Sequence, residues 1–279
     1  MKIYISVDME VMAGITAPFQ EKEEVPSFRR ALHNQIRWII DGIHQSAVNG
    51  SVEEITISDS HGSGTNLSYD ELCAMDERIS LVSGSPRKHF MMSCLDESYD
   101  VVFLAGYHAG PGEPLANMDH SFSGRAVGCL KINGHYMNES TTNAALAGDY
   151  GVPVALVAGD SGLRRQLIDQ KQMPWVEFVT TKESLSRYAA KFPPQKKLRE
   201  DTAAAVKRVL ESDLKALPLY RVEAPIRLAI DFKTTAMAEM VAQLPMVERI
   251  SGTEAEVICQ NMTEVECAIS AITGLAGIA

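Results

Sequence analysis

Residues 153–159 read Pro-Val-Ala-Leu-Val-Ala-Gly, an unbroken run without a charged side chain. Such a run is typical of a strand that is buried on both faces, and strands of this kind belong to parallel sheets. Similar short runs, rich in Val and Ile, occur at 2–7, 54–58 and 100–106, and helix-length segments separate them. The pattern predicts an α/β protein with a largely parallel sheet.

The segment after the first strand predicts an amphipathic helix that crosses over to the second strand. Ser27 is expected to cap this helix, and Gly50 is expected to end it. The apolar positions repeat every three or four residues, which places them on the face that packs against the sheet. They are Leu32, Ile36, Ile39, Ile40, Ile43 and Ala47.

The remainder of the chain predicts a hairpin and a second, smaller domain. Asn133-Gly134 is expected to form the two-residue turn of a hairpin over 127–136, because both positions tolerate positive φ. After residue 191 a Pro- and Lys-rich stretch reads as a linker. Beyond it we expect helices at 201–216, at 235–244 and from 262, with strands at 226–232 and 254–260. The predicted division is an α/β domain over 1–190 and a smaller C-terminal α+β domain over 191–279.

Composition excludes several functional classes for this chain of 279 residues. With a net charge of −10, it lacks the electrostatic attraction that binds the phosphate backbone of nucleic acid. No segment approaches the run of about 18 apolar residues that spans a membrane, and none resembles a secretion signal. The five cysteines are scattered without C-x-x-C spacing and are expected to be reduced and mostly buried. We therefore expect a soluble cytoplasmic protein with neither nucleic-acid nor membrane partners.

Metal-ligand residue types follow the predicted strands. Asp8 and Glu10 follow the first strand, His61 follows the second and His108 follows the third. Because the carboxyl ends of parallel strands meet at one edge of a sheet, these side chains are expected to lie together. Neighbouring carboxylates repel unless a cation lies between them, and carboxylate with imidazole is the ligand set of zinc hydrolases. The alternative is that the carboxylates merely cap or solvate loops.

Two further residues are candidates. His120 lies in a non-periodic loop over 109–124 that leaves the His108 strand, where catalytic groups are common; a hydrated surface histidine is the alternative. Glu139 opens a helix, where its simplest role is to offset the helix dipole. The remaining histidines are expected at the surface: His33, His44, His89 and His135.

Over nearly its whole length the chain resembles the zinc-dependent D-aminopeptidases encoded in bacterial dipeptide-transport operons. Several short motifs carry the resemblance, and only their combination is specific. They are Ser6-Val-Asp-Met-Glu10, Asp59-Ser60-His61, Gly106-Tyr-His-Ala109, Met118-Asp-His-Ser121, Asn138-Glu139 before Asn143-Ala144, and the segment 147–160.

The resemblance implies a Rossmann-like α/β domain with a smaller second domain, and assembly into large ring-like homo-oligomers. It also implies a site with two zinc ions per chain, and it makes His120 the essential catalytic histidine. The implied zinc ligands are Asp8, Glu10, His61, His108 and Glu139.

The sequence departs from the family pattern at two positions near this site. Val11 stands where a glycine usually follows the second carboxylate, so the local turn and the direction of Glu10 are expected to differ. Asp119 replaces a small residue beside His120. Its carboxylate is expected either to act on the imidazole, by orienting it or by raising its pKa, or to point into solvent.

Together these features predict a di-zinc aminopeptidase that hydrolyses the N-terminal amide bond of short peptides, D-residues included. The role of His120 stays open between nucleophile, general acid and oxyanion donor. One alternative function is a metal-dependent amidohydrolase that acts on another small amide. The others are a non-enzymatic peptide-binding component of a transport system and an interaction scaffold with vestigial ligands.

Overall fold

The computed structural model describes residues 1–279, and its strands form two separate sheets. The twelve strands are β1 (Lys2–Val7), β2 (Glu54–Asp59), β3 (Ile79–Val82), β4 (Val101–Tyr107), β5 (Val127–Ile132), β6 (His135–Tyr136), β7 (Val154–Asp160), β8 (Glu177–Ser186), β9 (Ala189–Lys191), β10 (Ile226–Phe232), β11 (Glu248–Arg249) and β12 (Glu254–Cys259). The eight α-helices are α1 (Gln20–Glu23), α2 (Val25–Gln45), α3 (Tyr69–Cys73), α4 (Glu139–Asp149), α5 (Ser161–Arg164), α6 (Gln195–Leu210), α7 (Thr235–Val241) and α8 (Met262–Ala276).

The first sheet has seven strands in the order β3-β2-β1-β4-β7-β8-β9. All neighbouring strands are parallel except β8 and β9, which confirms the predicted α/β class with a mostly parallel sheet. The side chains of β1 alternate between two cores. Ile3, Ile5 and Val7 pack toward α2 and α6, whereas Tyr4 packs into the core on the opposite face.

The strand order brings the candidate ligand residues to one edge of this sheet. From β1 the chain first moves outward to β2 and β3, and it then returns to the other side of β1 at β4. Ligands in open parallel sheets bind beyond the carboxyl ends of the strands on either side of such a reversal. The ends of β1, β2 and β4 therefore surround one position.

The second sheet is antiparallel, with the order β11-β12-β10-β5-β6. It joins the predicted hairpin β5-β6 to strands from the last quarter of the chain, because β5 pairs directly with β10. Helix α6 in turn packs against α2, on the first sheet. The division at residues 190 and 191 stays a prediction, and the two sheets do not follow it strictly.

Several predicted element boundaries are wrong. Helix α2 begins at Val25, so Ser27 lies inside it instead of capping it, and the helix ends at Gln45, well before Gly50. The Ala-rich helix α6 covers Gln195–Leu210, six residues earlier than predicted. Strands β3 and β8 have mixed polar and apolar sequences, and the pattern of apolar runs did not reveal them.

Other local predictions are confirmed. Asn133 and Gly134 adopt positive φ in the turn between β5 and β6, and α8 begins at Met262 as predicted. The Asn261 side chain caps that helix by accepting from the Glu264 amide. None of the cysteines is in a disulfide, but only Cys259 is buried, so the expectation of mostly buried cysteines is wrong. No helix is both long and apolar enough to cross a membrane.

Candidate metal centre

Asp8 stands directly after β1 and is held there by the backbone. Its amide donates to the Ala105 carbonyl at 2.8 Å, and its buried carboxylate accepts from the Met9 amide at 2.9 Å. Gly106 makes this approach possible. It has a φ of +83°, and a Cβ on it would lie 2.3 Å from the Asp8 carbonyl oxygen. Only glycine lets β4 pass so close to the first carboxylate.

Glu10 follows on the same loop, and Val11 does not disturb it. Val11 has no positive φ, so its backbone takes a conformation that valine tolerates. Its amide donates to the Gly106 carbonyl, and its own carbonyl accepts from the Thr181 hydroxyl. A glycine is therefore not required at this position.

His61 reaches the centre from the loop after β2. Its Nε2 lies 3.2 Å from Glu10 Oε1. Asp59, in the same motif, serves the loop instead of the centre: its carboxylate accepts from the backbone amides of Asn66 and Leu67, at 2.6 and 2.8 Å. These bonds close the loop that carries His61.

His108 and Glu139 complete the buried part of the cluster. Nδ1 of His108 donates to the Ala109 carbonyl at 2.9 Å, so Nε2 is the ring nitrogen that faces the carboxylates. That Nε2 lies 3.3 Å from Glu139 Oε1 and 3.7 Å from Asp8 Oδ2, yet it forms no hydrogen bond. Glu139, the first residue of α4, also accepts from the Phe122 amide at 2.5 Å.

His120 lies beside the cluster, and its ring stacks on that of His108. The ring centroids are 4.1 Å apart with an interplanar angle of 5°. His120 Nδ1 donates to the Met118 carbonyl at 2.8 Å, so Nε2 faces Glu10 and Glu139 at 3.8 and 4.0 Å. His120 therefore lies at the edge of the cluster, with its side chain 19% exposed.

Asp119 neither orients the imidazole of His120 nor points into solvent. Its carboxylate accepts from the Gly112 amide at 2.8 Å and pairs with the Arg187 guanidinium. Both expectations for Asp119 are therefore wrong. Asp119 instead restrains the loop that carries His120, because its carboxylate joins the Gly112 backbone of that loop to Arg187.

Three carboxyl groups and two imidazoles share one buried space, and each shifts the pKa of its neighbours. Burial raises the pKa of Asp8 well above its usual value, and the charges of Glu10 and Glu139 raise it further. Burial also opposes the ionisation of Glu10, but the neighbouring His61 outweighs it and lowers the Glu10 pKa. Burial likewise disfavours protonated His61 and His108, but the adjacent glutamates raise the pKa of each to about 9. A cation between these carboxyl groups would relieve the repulsion that raises the Asp8 pKa.

The geometry fits metal ions. The donor atoms form three sets of three residues each. Within each set the atoms lie within 4.8 Å of one another, and Asp8 belongs to two of the sets. Buried polar atoms of these residues have no hydrogen-bond partner, which is costly unless a cation accepts their lone pairs. They include Asp8 Oδ2, Glu10 Oε2 and His108 Nε2. The sets are Asp8 with Glu10 and His61, Asp8 with His108 and Glu139, and Glu10 with His108 and His120.

The predicted site residues thus lie together, and the other histidines lie elsewhere. Two of those histidines are buried, contrary to expectation. His33 bonds through its ring to the Arg29 carbonyl and the Ser68 amide, whereas His89 has both ring nitrogens unpaired. Asp160, a metal-ligand type at the end of β7, instead accepts from the backbone amides of Asn117 and Leu163.

Residues beneath the cluster escaped the sequence analysis. Lys182 on β8 is fully buried, and its Nζ donates to the carbonyls of Glu10 and Ile15 at 2.8 and 2.5 Å and to the Asn117 side chain. It ties the Glu10 loop to the segment that leads to His120. A buried lysine within a mixed strand gives no signal in the sequence, because its partners are distant along the chain.

An α/β sheet that carries this donor set beyond its carboxyl ends defines a candidate metallohydrolase. The chain belongs to the D-aminopeptidase family, Peptidase M55, whose family model matches residues 1–271. It is 30% identical over 284 residues to the D-aminopeptidase of Bacillus subtilis (strain 168), which covers 99% of this chain and 98% of that relative.

Comparison of structures gives the same family. The fold matches a solved structure described as the Zn-dependent D-aminopeptidase DppA from Bacillus subtilis, a self-compartmentalizing protease. The TM-score is 0.90 at 26% identity, and the match covers 100% of this chain and 99% of that chain.

Proposed function

We propose that this chain is a zinc-dependent aminopeptidase that removes the N-terminal residue of short peptides, D-residues included. The observation that carries the proposal is the convergence of three carboxylates and two imidazoles at the ends of β1, β2 and β4 and the start of α4, with Asp8 shared between two donor sets. Membership in the D-aminopeptidase family and the zinc dependence described for DppA support it.

We further propose two zinc ions per chain, since Asp8 belongs to two candidate ligand sets. Glu10 and His61 would hold one ion, and His108 and Glu139 would hold the other. Zinc supplies Lewis acidity at such a centre, polarising a carbonyl group and lowering the pKa of water. The stacking of His120 on His108 leaves the His120 Nε2 directed at the cluster, so we assign His120 to the reaction instead of to the metal.

The role of His120 is to exchange a proton or to donate a hydrogen bond at Nε2. Burial lowers the pKa of His120, and the neighbouring His108 lowers it further. The bond from Nδ1 to the Met118 carbonyl orients the ring, so that Nε2 can accept a proton and pass it to the leaving amine. The Asp119 tether restrains the loop, which supports a well-defined position for the ring.

Metal analysis with an amide panel tests the function. Purified protein should carry about two zinc ions per chain by mass spectrometry and should hydrolyse dipeptides with a free N-terminus. Asp8→Asn should lose most of both metals while keeping its circular dichroism spectrum, because Asp8 belongs to both donor sets. Absence of bound metal after reconstitution with Zn²⁺, Mn²⁺ or Co²⁺ would rule out this function. Turnover of non-peptide amides alone would favour the amidohydrolase alternative.

We also propose a homo-oligomer with ring-like architecture, since the similar DppA is described as self-compartmentalizing. In such an assembly the peptide would reach the metal centre from an enclosed space. The cytoplasmic location stays a prediction, and five cysteines without a disulfide support it.

A further inference from the structure

A cavity of about 370 Å³ adjoins the metal centre on the side of α8. Two of its lining residues come from the segments that carry the site: Gly62 follows His61, and the amide of Phe122 donates to Glu139. The opposite wall is formed by one face of α8, including Glu266 and Ile269. The volume is near the lower end for small-ligand sites, which suits a single amino-acid residue and its neighbour.

Glu266 is an ionisable group on this cavity that the proposed mechanism leaves without a role. Its side chain is 2% exposed, and its Oε1 has no hydrogen-bond partner. Burial raises the pKa of Glu266 to about 8, and the charge of Glu139 adds to the shift. A buried carboxyl group without a partner costs free energy, which a cation or a hydrogen-bond donor entering the cavity would offset.

The protein does not supply that cation. Arg87 is the cationic side chain on the cavity wall, but its guanidinium donates to the carbonyls of Phe90, Gly84 and Asp59. Glu266 also belongs to none of the three donor sets of the metal centre. Its carboxyl group therefore faces a cavity that adjoins the cluster, without an ion pair of its own.

We propose that Glu266 binds the N-terminal ammonium group of the peptide substrate, an assignment that rests on the function proposed above. In the N-terminal residue the amine nitrogen and the scissile carbonyl carbon are both bonded to Cα, which places them about 2.5 Å apart. A group that recognises the amine must therefore lie next to the group that hydrolyses the bond. The cavity is lined by Gly62 and Phe122, which adjoin His61 and Glu139, so Glu266 on its wall would distinguish a free N-terminus from a blocked one.

The test compares two substrates that differ only in the amine: an alanine p-nitroanilide of the enantiomer that the enzyme prefers, and propanoyl p-nitroanilide. In zinc-loaded wild-type protein the amine should raise kcat/KM about 10- to 100-fold, the range of a charge-assisted hydrogen bond. Glu266→Gln should remove most of this preference, mainly through KM, because the contact is present in both the ground state and the transition state. Glu266→Asp should restore part of it.

Two further measurements separate recognition from a structural role. Glu266→Gln should keep the zinc content of the wild type and should weaken inhibition by n-propylammonium chloride about 10-fold or more, with n-propanol as the neutral reference. Ser270→Ala provides the matched control, since Ser270 lies on the same helix and lines the same cavity without charge. Its substrate preference should equal that of the wild type.

The outcomes are distinct. An unchanged preference in active Glu266→Gln overturns the assignment and leaves the proposed function intact. Loss of zinc from that variant overturns it in favour of a metal ligand. A wild-type enzyme that hydrolyses neither substrate and no peptide overturns the proposed function, and the assignment with it.

Discussion

His120 is the side chain for which a metal-ligand role and a proton-transfer role must be distinguished. Its Nε2 belongs to a donor set with Glu10 and His108, yet the five other residues would provide ligands for the two metal ions proposed above. Catalytic zinc sites retain an open position for water, so a sixth protein ligand is not required. A proton-transfer role and a ligand role predict different consequences for the same substitution.

His120→Ala should keep the fold and both metal ions, while kcat falls by about 10²- to 10⁴-fold and KM changes much less. The reason is that the imidazole acts on the transition state without holding the ions. Kinetics and metal analysis on the same preparation check this prediction. His135→Ala, in the exposed turn strand β6, is the control and should behave as the wild type. Loss of one metal ion from His120→Ala would show that His120 is a ligand.

At the scale of elements, the approach of β4 to the end of β1 depends on Gly106. Gly134, in the β5-β6 turn, has nearly the same φ, +82° against +83°, but no atom lies within 4 Å of a Cβ placed there. Alanine at either position costs roughly 1–2 kcal/mol of unfolding free energy, because it must adopt the left-handed backbone conformation. Only Gly106→Ala also forces a Cβ against the Asp8 carbonyl.

Gly106→Ala should therefore lose metal and stability together, whereas Gly134→Ala should lose only roughly 1–2 kcal/mol of unfolding free energy and no metal. Urea denaturation and metal quantification on the two variants give the comparison. Equal losses in both would mean that the close contact at Asp8 relaxes without effect.

Strand β8 supports the site through Lys182. Replacing Lys182 by Met leaves the carbonyls of Glu10 and Ile15 and the Asn117 side chain without their donor. We expect Lys182→Met to destabilise the fold by about 3–5 kcal/mol and to reduce metal retention, because Glu10 loses the support of its backbone. Lys191→Met, on the neighbouring β9 with its side chain 76% exposed, should change stability by less than about 0.5 kcal/mol. A Lys182→Met variant as stable as the wild type would contradict this support role.

At the scale of the whole molecule, apolar side chains remain exposed around the loops that flank the site. Leu115, Leu185 and Tyr188 are each more than half exposed, and the Met118 amide bonds to the Arg187 carbonyl between the two segments that carry them. Exposed apolar surface of this kind is typical of contact between protein chains.

Light scattering at working concentration should accordingly give a mass that is a multiple of 30.5 kDa. In the proposed assembly, burial of these side chains between copies would supply free energy of association. The measurement should be repeated at several dilutions to separate a stable assembly from weak association. A mass of 30.5 kDa at all concentrations would contradict the proposed homo-oligomer.

The local sequence was sufficient to predict the four adjacent strands β2, β1, β4 and β7 of the parallel sheet and the residues that follow them. Apolar runs predicted β1, β2, β4 and β7, since a strand that is buried on both faces needs apolar side chains throughout. Parallel strands end at a common edge, so Asp8, His61 and His108 could be placed together before any contact was known. The function assigned to those residues needed the family resemblance as well.

Tertiary contacts decided the rest. The burial of Lys182 and Glu266 depends on segments far away in the chain, and a charged residue in a strand or helix is ordinarily exposed. The pairing of β5 with β10 joins segments about 100 residues apart, whose periodicity is the same whichever sheet they enter. Periodicity reports which face of an element is apolar, whereas the partner that covers this face is chosen only when the whole chain packs.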